Sequence, residues 1–198
     1  LYDFGLLFPH WVHKHVLHSG DMDLAKDMVP VLKRLLSFCK TITTEDGLLM
    51  GNLEPPYDMP CLIDYAVSLD RKGVSTALNC LYYNCLMKSS WVFDKVGETE
   101  EAEKAATHAD RLAKALRLLT WDSKENLFAD AWYDGKMTDN HSVQANVLAL
   151  FAGIVQPRKL EKFKQKLLLD YAPYFFKVED EANENPYFKY FVLEMGFE

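Results

Sequence analysis

The sequence predicts an all-α protein built as an α/α toroid, in which antiparallel helical hairpins form inner and outer layers and short β-hairpin elements lie on one rim. Apolar residues recur at helical spacing along most of the 198 residues. One helical stretch is apolar on nearly every side, whereas the next has a single apolar stripe. Turn signals separate the stretches. We expect residues 1–198 to form one domain, and the small number of hairpins predicts an incomplete ring.

The first two predicted helices form a hairpin with a tight turn. Residues 3–18 carry apolar side chains at helical spacing and end at a glycine stop, Gly20. Asp21 or Asp23 is expected to cap the second helix. Pro30 lies inside the apolar stripe of that helix, so the sequence predicts either a kink or a fresh helix start there.

A proline-rich segment separates this hairpin from the most apolar helix. Residues 48–50 can add a short strand. Residues 51–70 are expected to form a structured loop, because their prolines interrupt helices and sheet ladders alike. The helix predicted over about 73–96 is apolar almost all round, which indicates burial on two sides. It therefore belongs to the predicted inner layer.

The second half of the chain continues the alternation of layers. Residues 99–119 form an amphipathic outer helix with one wet face. A small β-hairpin is predicted over 121–136, where turn residues flank a short alternating run. Helices follow over 142–155 and 158–170, and a last apolar helix starts at Pro186.

Composition narrows the class of protein and partner. An apolar content of 49% with 13% aromatic residues is typical of globular protein. The formal net charge of −7 and the lack of a basic face argue against a nucleic-acid partner. No apolar run reaches the roughly 18 residues that a membrane span needs. No signal segment is recognisable, so the localisation stays open between cytoplasm and periplasm or secretion.

Neither the cysteines nor the histidines predict a metal site. The cysteines lack Cys-x-x-Cys or zinc spacing, and free buried thiols are favoured over disulfides or metal ligation. The first helix is rich in histidine, but its spacings do not form a clean ligand pair. The residues concerned are Cys39, Cys61, Cys80, Cys85, His10, His13, His15 and His18.

Short segments spread along the chain carry a family resemblance. In order they are Trp11–Asp21, Ile63–Tyr65, Asn79–Tyr82, Trp121–Asp130, Gln144–Leu150 and Asn185–Glu194. As an ordered set that covers nearly the whole chain, they resemble the catalytic domain of bacterial α-L-rhamnosidases. Tyr65 stands where the family often has Trp.

The resemblance implies an (α/α)6 barrel of the six-hairpin glycosidase type that hydrolyses terminal α-L-rhamnose of glycans or glycosides with inversion and without a cofactor. Inversion uses two carboxyl groups roughly 6.5–9.5 Å apart, one protonating the leaving oxygen and one activating water. In the family, the segments that carry them lie before the region matching Leu1 and beyond the region matching Glu198. The resemblance thus implies that the catalytic residues belong to the remainder of a parent chain and that this part holds the substrate.

Two alternatives stay open. One keeps the toroid but changes the sugar, as in another six-hairpin glycosidase or a uronyl hydrolase. The other is a non-catalytic α/α scaffold or carbohydrate-binding relative. In each case an incomplete ring would leave apolar inner faces uncovered, so self-association of the isolated chain is also expected.

Five residues are candidates for substrate binding. Asp64 and Tyr65 combine a carboxylate for sugar hydroxyls with an aromatic face for the C–H side of the ring, although a turn acid is the alternative. Trp132 can stack on a sugar, but packing in the rim core is favoured. His141 either donates to a hydroxyl or lies on the surface. Glu194, in an apolar helix, needs either a structural partner or a place lining a pocket.

Overall fold

The computed structural model describes residues 2–51, 63, 69–176 and 186–196. The helices are α1 Tyr2–Gly5, α2 Phe8–Ser19, α3 Met22–Thr41, α4 Thr76–Lys95, α5 Thr99–Thr120, α6 Val143–Phe151, α7 Pro157–Phe176 and α8 Pro186–Gly196. The short strands are β1 Val74–Ser75, β2 Trp121–Asp122, β3 Leu127–Phe128, β4 Ala131–Tyr133 and β5 Lys136–Met137.

The helices are arranged in the two predicted layers. The inner helices α2, α4, α6 and α8 contact one another in chain order, while α3, α5 and α7 each pack against the inner helix that precedes them. Helix α4 is buried along most of its length, and α5 buries only one stripe of alanine and leucine. This difference in burial follows directly from the apolar patterns of the two helices. The fold is all-α, an incomplete α/α toroid of the six-hairpin type.

Two apolar clusters hold the layers together. The larger lies between α4, α5, α6, α7 and α8 and contains the fully buried rings of Tyr82, Phe128, Phe163, Phe188 and Phe191. The smaller joins α2, α3 and the end of α4 around Phe93. Burial of each such side chain contributes about 1.5–3 kcal/mol, so these clusters dominate the stability of the fold.

Capping residues set the starts of three helices as their side chains suggest. The Asp21 carboxylate accepts from the backbone N–H of Leu24 at 2.9 Å and caps α3. Ser75 and Ser142 cap α4 and α6. These bonds satisfy backbone donors that have no partner within the helix.

Helix α3 runs without interruption through Pro30, so the helix does not start afresh there. A proline inside a helix removes one backbone hydrogen bond and costs about 3 kcal/mol. Ala25, Leu32 and Cys39 lie on both sides of it, and each is almost fully buried. Burial along the whole stripe therefore outweighs the local preference of proline.

Other element boundaries differ by a few residues from the sequence prediction. Helix α4 starts at Thr76 because the preceding residues pair as β1. Helix α6 stops at Phe151, since Gly153 has a φ of 71° and ends the helix in the left-handed region. The strand predicted at 48–50 is reduced to isolated bridges, Thr43 to Leu49 and Gly51 to Gly73.

The predicted β-hairpin is two separate pairings. Strands β2 and β3 form one antiparallel pair. Strands β4 and β5 form another, and β1 joins β4 to give the order β1-β4-β5. The loop of the second pair is Asp134-Gly135, with φ values of 52° and 75°, the conformation that a two-residue hairpin loop requires.

The first and the last described inner helices meet in a polar seam. His10 Nε2 and Tyr190 Oη share a hydrogen bond of 2.6 Å. Lys14 Nζ donates to Glu194 Oε2 at 2.8 Å. Trp11, which is half exposed, packs against the Tyr190 ring. The seam, defined by these five residues, joins α2 to α8. Among the described helices, none is both long and apolar enough to cross a bilayer.

Candidate functional site

The candidate site lies at the end of the ring where the inner helices α4 and α6 begin. We call this end the rim and define it as residues 48–51, 69–75 and 121–142. Strand β1 pairs with β4 so that Val74 lies opposite Trp132. The backbone N–H of Thr76 donates to the Asp130 carbonyl at 2.7 Å. The start of α4 and the segment before α6 are therefore one hydrogen-bonded unit.

Gly73 permits the close approach of these segments. Its φ is 63°, and a Cβ atom at this position would lie 2.4 Å from the carbonyl oxygen of Trp132. Its own carbonyl accepts from the Gly51 N–H at 2.7 Å. A side chain at Gly73 would both strain the backbone and push β4 away. Glycine at position 73 therefore allows the segments that contain Gly51, Gly73 and Trp132 to meet here.

The buried Asp130 carboxylate ties the rim together. Its Oδ2 accepts from the Asp70 N–H at 3.0 Å and from Asn140 Nδ2 at 2.7 Å, and its Oδ1 accepts from the Ser142 N–H at 2.7 Å. The side chain is 0% exposed. Burial raises the pKa of Asp130, and the bonds from Ser142 and Asp70 oppose that shift. One side chain thus fixes the rim segment before α4 and the start of α6.

Trp132 lies on β4 with partial burial and packs against the main apolar cluster. Its backbone pairs with Val74 on one side and Met137 on the other. Its neighbour Tyr133, on the opposite face of the strand, is half exposed. Trp132 is thus partly packed against the core and partly exposed, and its role in sugar binding stays a prediction.

His141 forms a pair with Asp122 that the sequence analysis did not identify. His141 Nε2 lies 3.2 Å from Asp122 Oδ2, and about a fifth of each side chain is exposed. Asp122 Oδ1 accepts from the N–H groups of Lys124 and Glu125. The bond from Lys124, with smaller effects from Glu125 and His141, lowers the pKa of Asp122. The carboxylate is therefore ionised and holds the imidazole in a fixed orientation.

Glu194 is not on the rim but in the seam between α2 and α8. Its partner is Lys14, and the two side chains are 26% and 32% exposed. Near them, burial lowers the pKa of His10 and of His13 to about 4, with Lys88 as the next cause for both. Of the two roles that the sequence leaves open for Glu194, the described contacts fit the structural partner.

Asp64 and Tyr65 lie outside the described residues. Ile63, immediately before them, is described: it is buried and has a φ of 57°, a strained value for a β-branched residue. The carboxylate of Asp3 accepts its N–H at 2.7 Å and is itself fully buried. Strained residues that the surrounding structure holds in place are common next to functional sites.

Several residues that organise the site escaped the sequence analysis. They are Asp3, Asp122, Asp130, Asn79 and Asn146. One signal was available: Asn79 and Asn146 each follow a capping serine by four residues, in Ser75–Asn79 and Ser142–Asn146. No comparable signal marks Asp3 and Asp130, whose partners are distant in sequence, or the pairing of Asp122 with His141, 19 positions away. Within the described ranges, no three His, Cys, Asp or Glu side chains are placed to hold a metal ion.

The fold is a glycosidase-like α/α toroid, as comparison with known proteins shows. The structure superposes on the GH78 family rhamnosidase of Bacillus sp. GL1 with a TM-score of 0.79 and 22% identity, covering 98% of this chain and 19% of that one. It also superposes on a rhamnosidase from Klebsiella oxytoca solved with rhamnose bound, with a TM-score of 0.76 and 17% identity. That match covers 100% of this chain and 36% of the other.

A family model assigns the chain more closely. The model described as trehalase matches residues 71–176, which is more than half of the sequence, and the chain belongs to that family. A search among curated proteins found no significant match. The chain spans well under half the length of either rhamnosidase. The resemblance to rhamnosidases and the incomplete toroid expected from the sequence are confirmed.

Proposed function

We propose that this chain forms the substrate-holding part of a glycoside hydrolase that releases terminal α-L-rhamnose with inversion. The observation that carries the proposal is the match of nearly the whole chain to two rhamnosidase structures. The rim adds suitable chemistry, because it places an indole, Trp132, on the same connection as an oriented imidazole, His141. Aromatic faces stack on sugar rings, and oriented polar groups bond their hydroxyls.

In this proposal the chain contributes binding, and the remainder of a longer parent chain contributes the general acid and base. Asp122 Oδ1 and Oδ2 accept hydrogen bonds from backbone N–H groups and from His141. Asp130 is fully buried and accepts three hydrogen bonds. A general acid needs a raised pKa together with access to the leaving oxygen, and neither Asp122 nor Asp130 has both. Asp64 and Tyr65 are proposed to complete the sugar site.

The first test measures turnover by the full natural protein and by the 198-residue chain. Both are incubated with 4-nitrophenyl α-L-rhamnoside, and the α-glucoside and β-glucuronide serve as control substrates. We expect the full protein to release nitrophenol from the rhamnoside only, and the 198-residue chain to bind rhamnose without releasing product. Cleavage of another glycoside with none of the rhamnoside would refute the choice of sugar.

The second test assigns the binding role to the rim. Replacing Trp132 with Leu removes the stacking face, and we expect rhamnose affinity to fall by about 3- to 10-fold. The matched control is Tyr133→Leu, because Tyr133 is adjacent on β4 but points to the other face. Equal losses in the two variants, measured by titration calorimetry, would exclude a specific role for Trp132.

A second candidate is hydrolysis of the glucose disaccharide trehalose, since the family model that matches residues 71–176 is described as trehalase. A coupled glucose assay with trehalose as substrate separates the two. Glucose release at a rate above that from the rhamnoside would favour this alternative. A full protein that binds sugar but cleaves none of these substrates would instead indicate a carbohydrate-binding scaffold.

A further inference from the structure

The starts of the inner helices α4 and α6 share an arrangement of side-chain hydrogen bonds. Each helix begins with a capping serine, Ser75 or Ser142, and has an asparagine four residues later. The side chains of both asparagines are 0% exposed. Buried amides that carry four hydrogen-bonding positions need partners, so their bonds indicate what each asparagine holds.

Asn79 bonds both backbone polar groups of one residue in the first rim segment, Leu49. Its Oδ1 accepts from the Leu49 N–H at 2.8 Å, and its Nδ2 donates to the Leu49 carbonyl at 2.9 Å. The same Nδ2 donates to the Ser75 carbonyl at 2.8 Å. The side chain pairs with Leu49 as a neighbouring strand would.

Asn146 makes the same three bonds in the next hairpin. Its Oδ1 accepts from the Phe128 N–H at 2.8 Å, and its Nδ2 donates to the Phe128 carbonyl at 3.0 Å. Its Nδ2 also donates to the Ser142 carbonyl at 2.9 Å. Leu49 and Phe128 are therefore equivalent residues of a repeated unit, although one precedes its asparagine by 30 residues and the other by 18.

We propose that Asn79 and Asn146 are equivalent positioning residues, each of which fixes one rim segment against the start of an inner helix, and that Asn146 thereby sets the position of the Trp132 indole on the rim. The proposal rests on the proposed function of the rim. Phe128 is followed after one residue by Asp130, and Trp132 is two residues further along the same short path. A shift at Phe128 is thus transmitted to the indole.

The amide is chemically required for this role. Aspartate lacks both N–H donors, and alanine lacks donor and acceptor, so either leaves carbonyl groups of the buried backbone without partners. Because the amide carries no charge, the hydrogen bonds of Asn79 and Asn146 do not depend on pH, in contrast to those of a carboxylate such as Asp130.

The test compares Asn79→Ala with Asn146→Ala by amide hydrogen exchange in the 198-residue chain, each variant serving as the control for the other. Asn146→Ala is expected to speed exchange at least about tenfold at Phe128 but not at Leu49, and Asn79→Ala to do the reverse. Uniform acceleration over both segments would mean a loss of global stability only and would overturn the proposal. Unchanged exchange at Leu49 in Asn79→Ala and at Phe128 in Asn146→Ala would also overturn the proposal.

A sugar-binding arm separates this proposal from the proposed function. In Asn146→Ala, held well below its melting temperature, we expect rhamnose affinity to fall by about tenfold and the Trp132 indole N–H resonance to move. Asn146→Asp keeps the acceptor for the Phe128 N–H, so its rhamnose affinity is expected to lie between those of the unmodified chain and Asn146→Ala. If the unmodified chain binds no sugar, the proposed function fails while the exchange pattern still decides whether the asparagines position the rim. Unaltered sugar affinity in an Asn146→Ala chain that shows local opening would refute the positioning role.

Discussion

Acid is expected to destabilise this protein well above the pH at which carboxylates titrate, because two buried histidines must stay neutral in the folded state. His10 is 2% exposed and His13 is 9% exposed. Burial, followed by the charge of the nearby Lys88, lowers the pKa of each from 6.5 to about 4. The unfolded chain, with ordinary histidine pKa values, takes up protons first as the pH falls.

The magnitude follows from the difference between the two pKa values. A histidine whose pKa falls from 6.5 to about 4 on folding loses about 2 kcal/mol of stabilisation between pH 7.5 and pH 5. The loss for each residue approaches about 3 kcal/mol below pH 4. His10 and His13 together therefore predict a decrease of about 4 kcal/mol at pH 5, a large part of the stability of a typical domain.

The assay is urea unfolding followed by tryptophan fluorescence at pH 7.5 and pH 5. The double variant His10→Gln/His13→Gln is expected to lose most of the pH dependence, although its stability at pH 7.5 is lower because the bond to Tyr190 is altered. His18→Gln, on the exposed face of α2, is the control and is expected to keep the full pH dependence. A free energy of unfolding that changes by less than about 1 kcal/mol between these pH values in the unmodified chain would refute the reasoning.

Three further substitutions test the rim and the seam, all by urea unfolding. Gly73→Ala is expected to lower the free energy of unfolding by at least about 2 kcal/mol more than Gly97→Ala. Both glycines have positive φ, but of these two only Gly73 has a carbonyl oxygen within contact of the added Cβ. Equal losses in the two variants would contradict this reasoning. Asp130→Asn is expected to cost about 3 kcal/mol, since a neutral amide replaces a buried acceptor of three bonds, and a loss below about 1 kcal/mol would refute the role of Asp130. Glu194→Gln is expected to cost about 1 kcal/mol at low salt and less at high salt, because the pair is partly exposed; a salt-independent loss would argue against an ion pair.

The layers of the fold were predictable because the apolar pattern within each helix indicates which of its faces are buried. The all-round apolar pattern of α4 and the single stripe of α5 distinguish inner from outer helices without any knowledge of their partners. Pro30 shows where local rules fail. Its helix-breaking tendency is a property of one residue, whereas the burial that overrides it is distributed along the whole of α3.

The site was less predictable because its bonds join residues that are remote in sequence. Trp132 and His141 were proposed as candidates from their residue types, but the acid that orients His141 lies 19 positions away. Glu194 was expected to need a partner, and that partner, Lys14, is separated from it by 180 positions. Spacing along a chain carries no information about such pairs until the topology is known.

The two best-defined carboxyl groups of the rim indicate a division of labour within the proposed enzyme. Asp122 is partly accessible, but its hydrogen bonds lower its pKa, which suits an ionised anchor rather than a proton donor. Asp130 has a raised pKa, but it is fully buried and its oxygens already accept three bonds. Proton donation to a leaving oxygen requires the raised pKa and the access in one group. In the proposed enzyme, Asp122 and Asp130 therefore serve as anchors of the rim, and another residue supplies the proton.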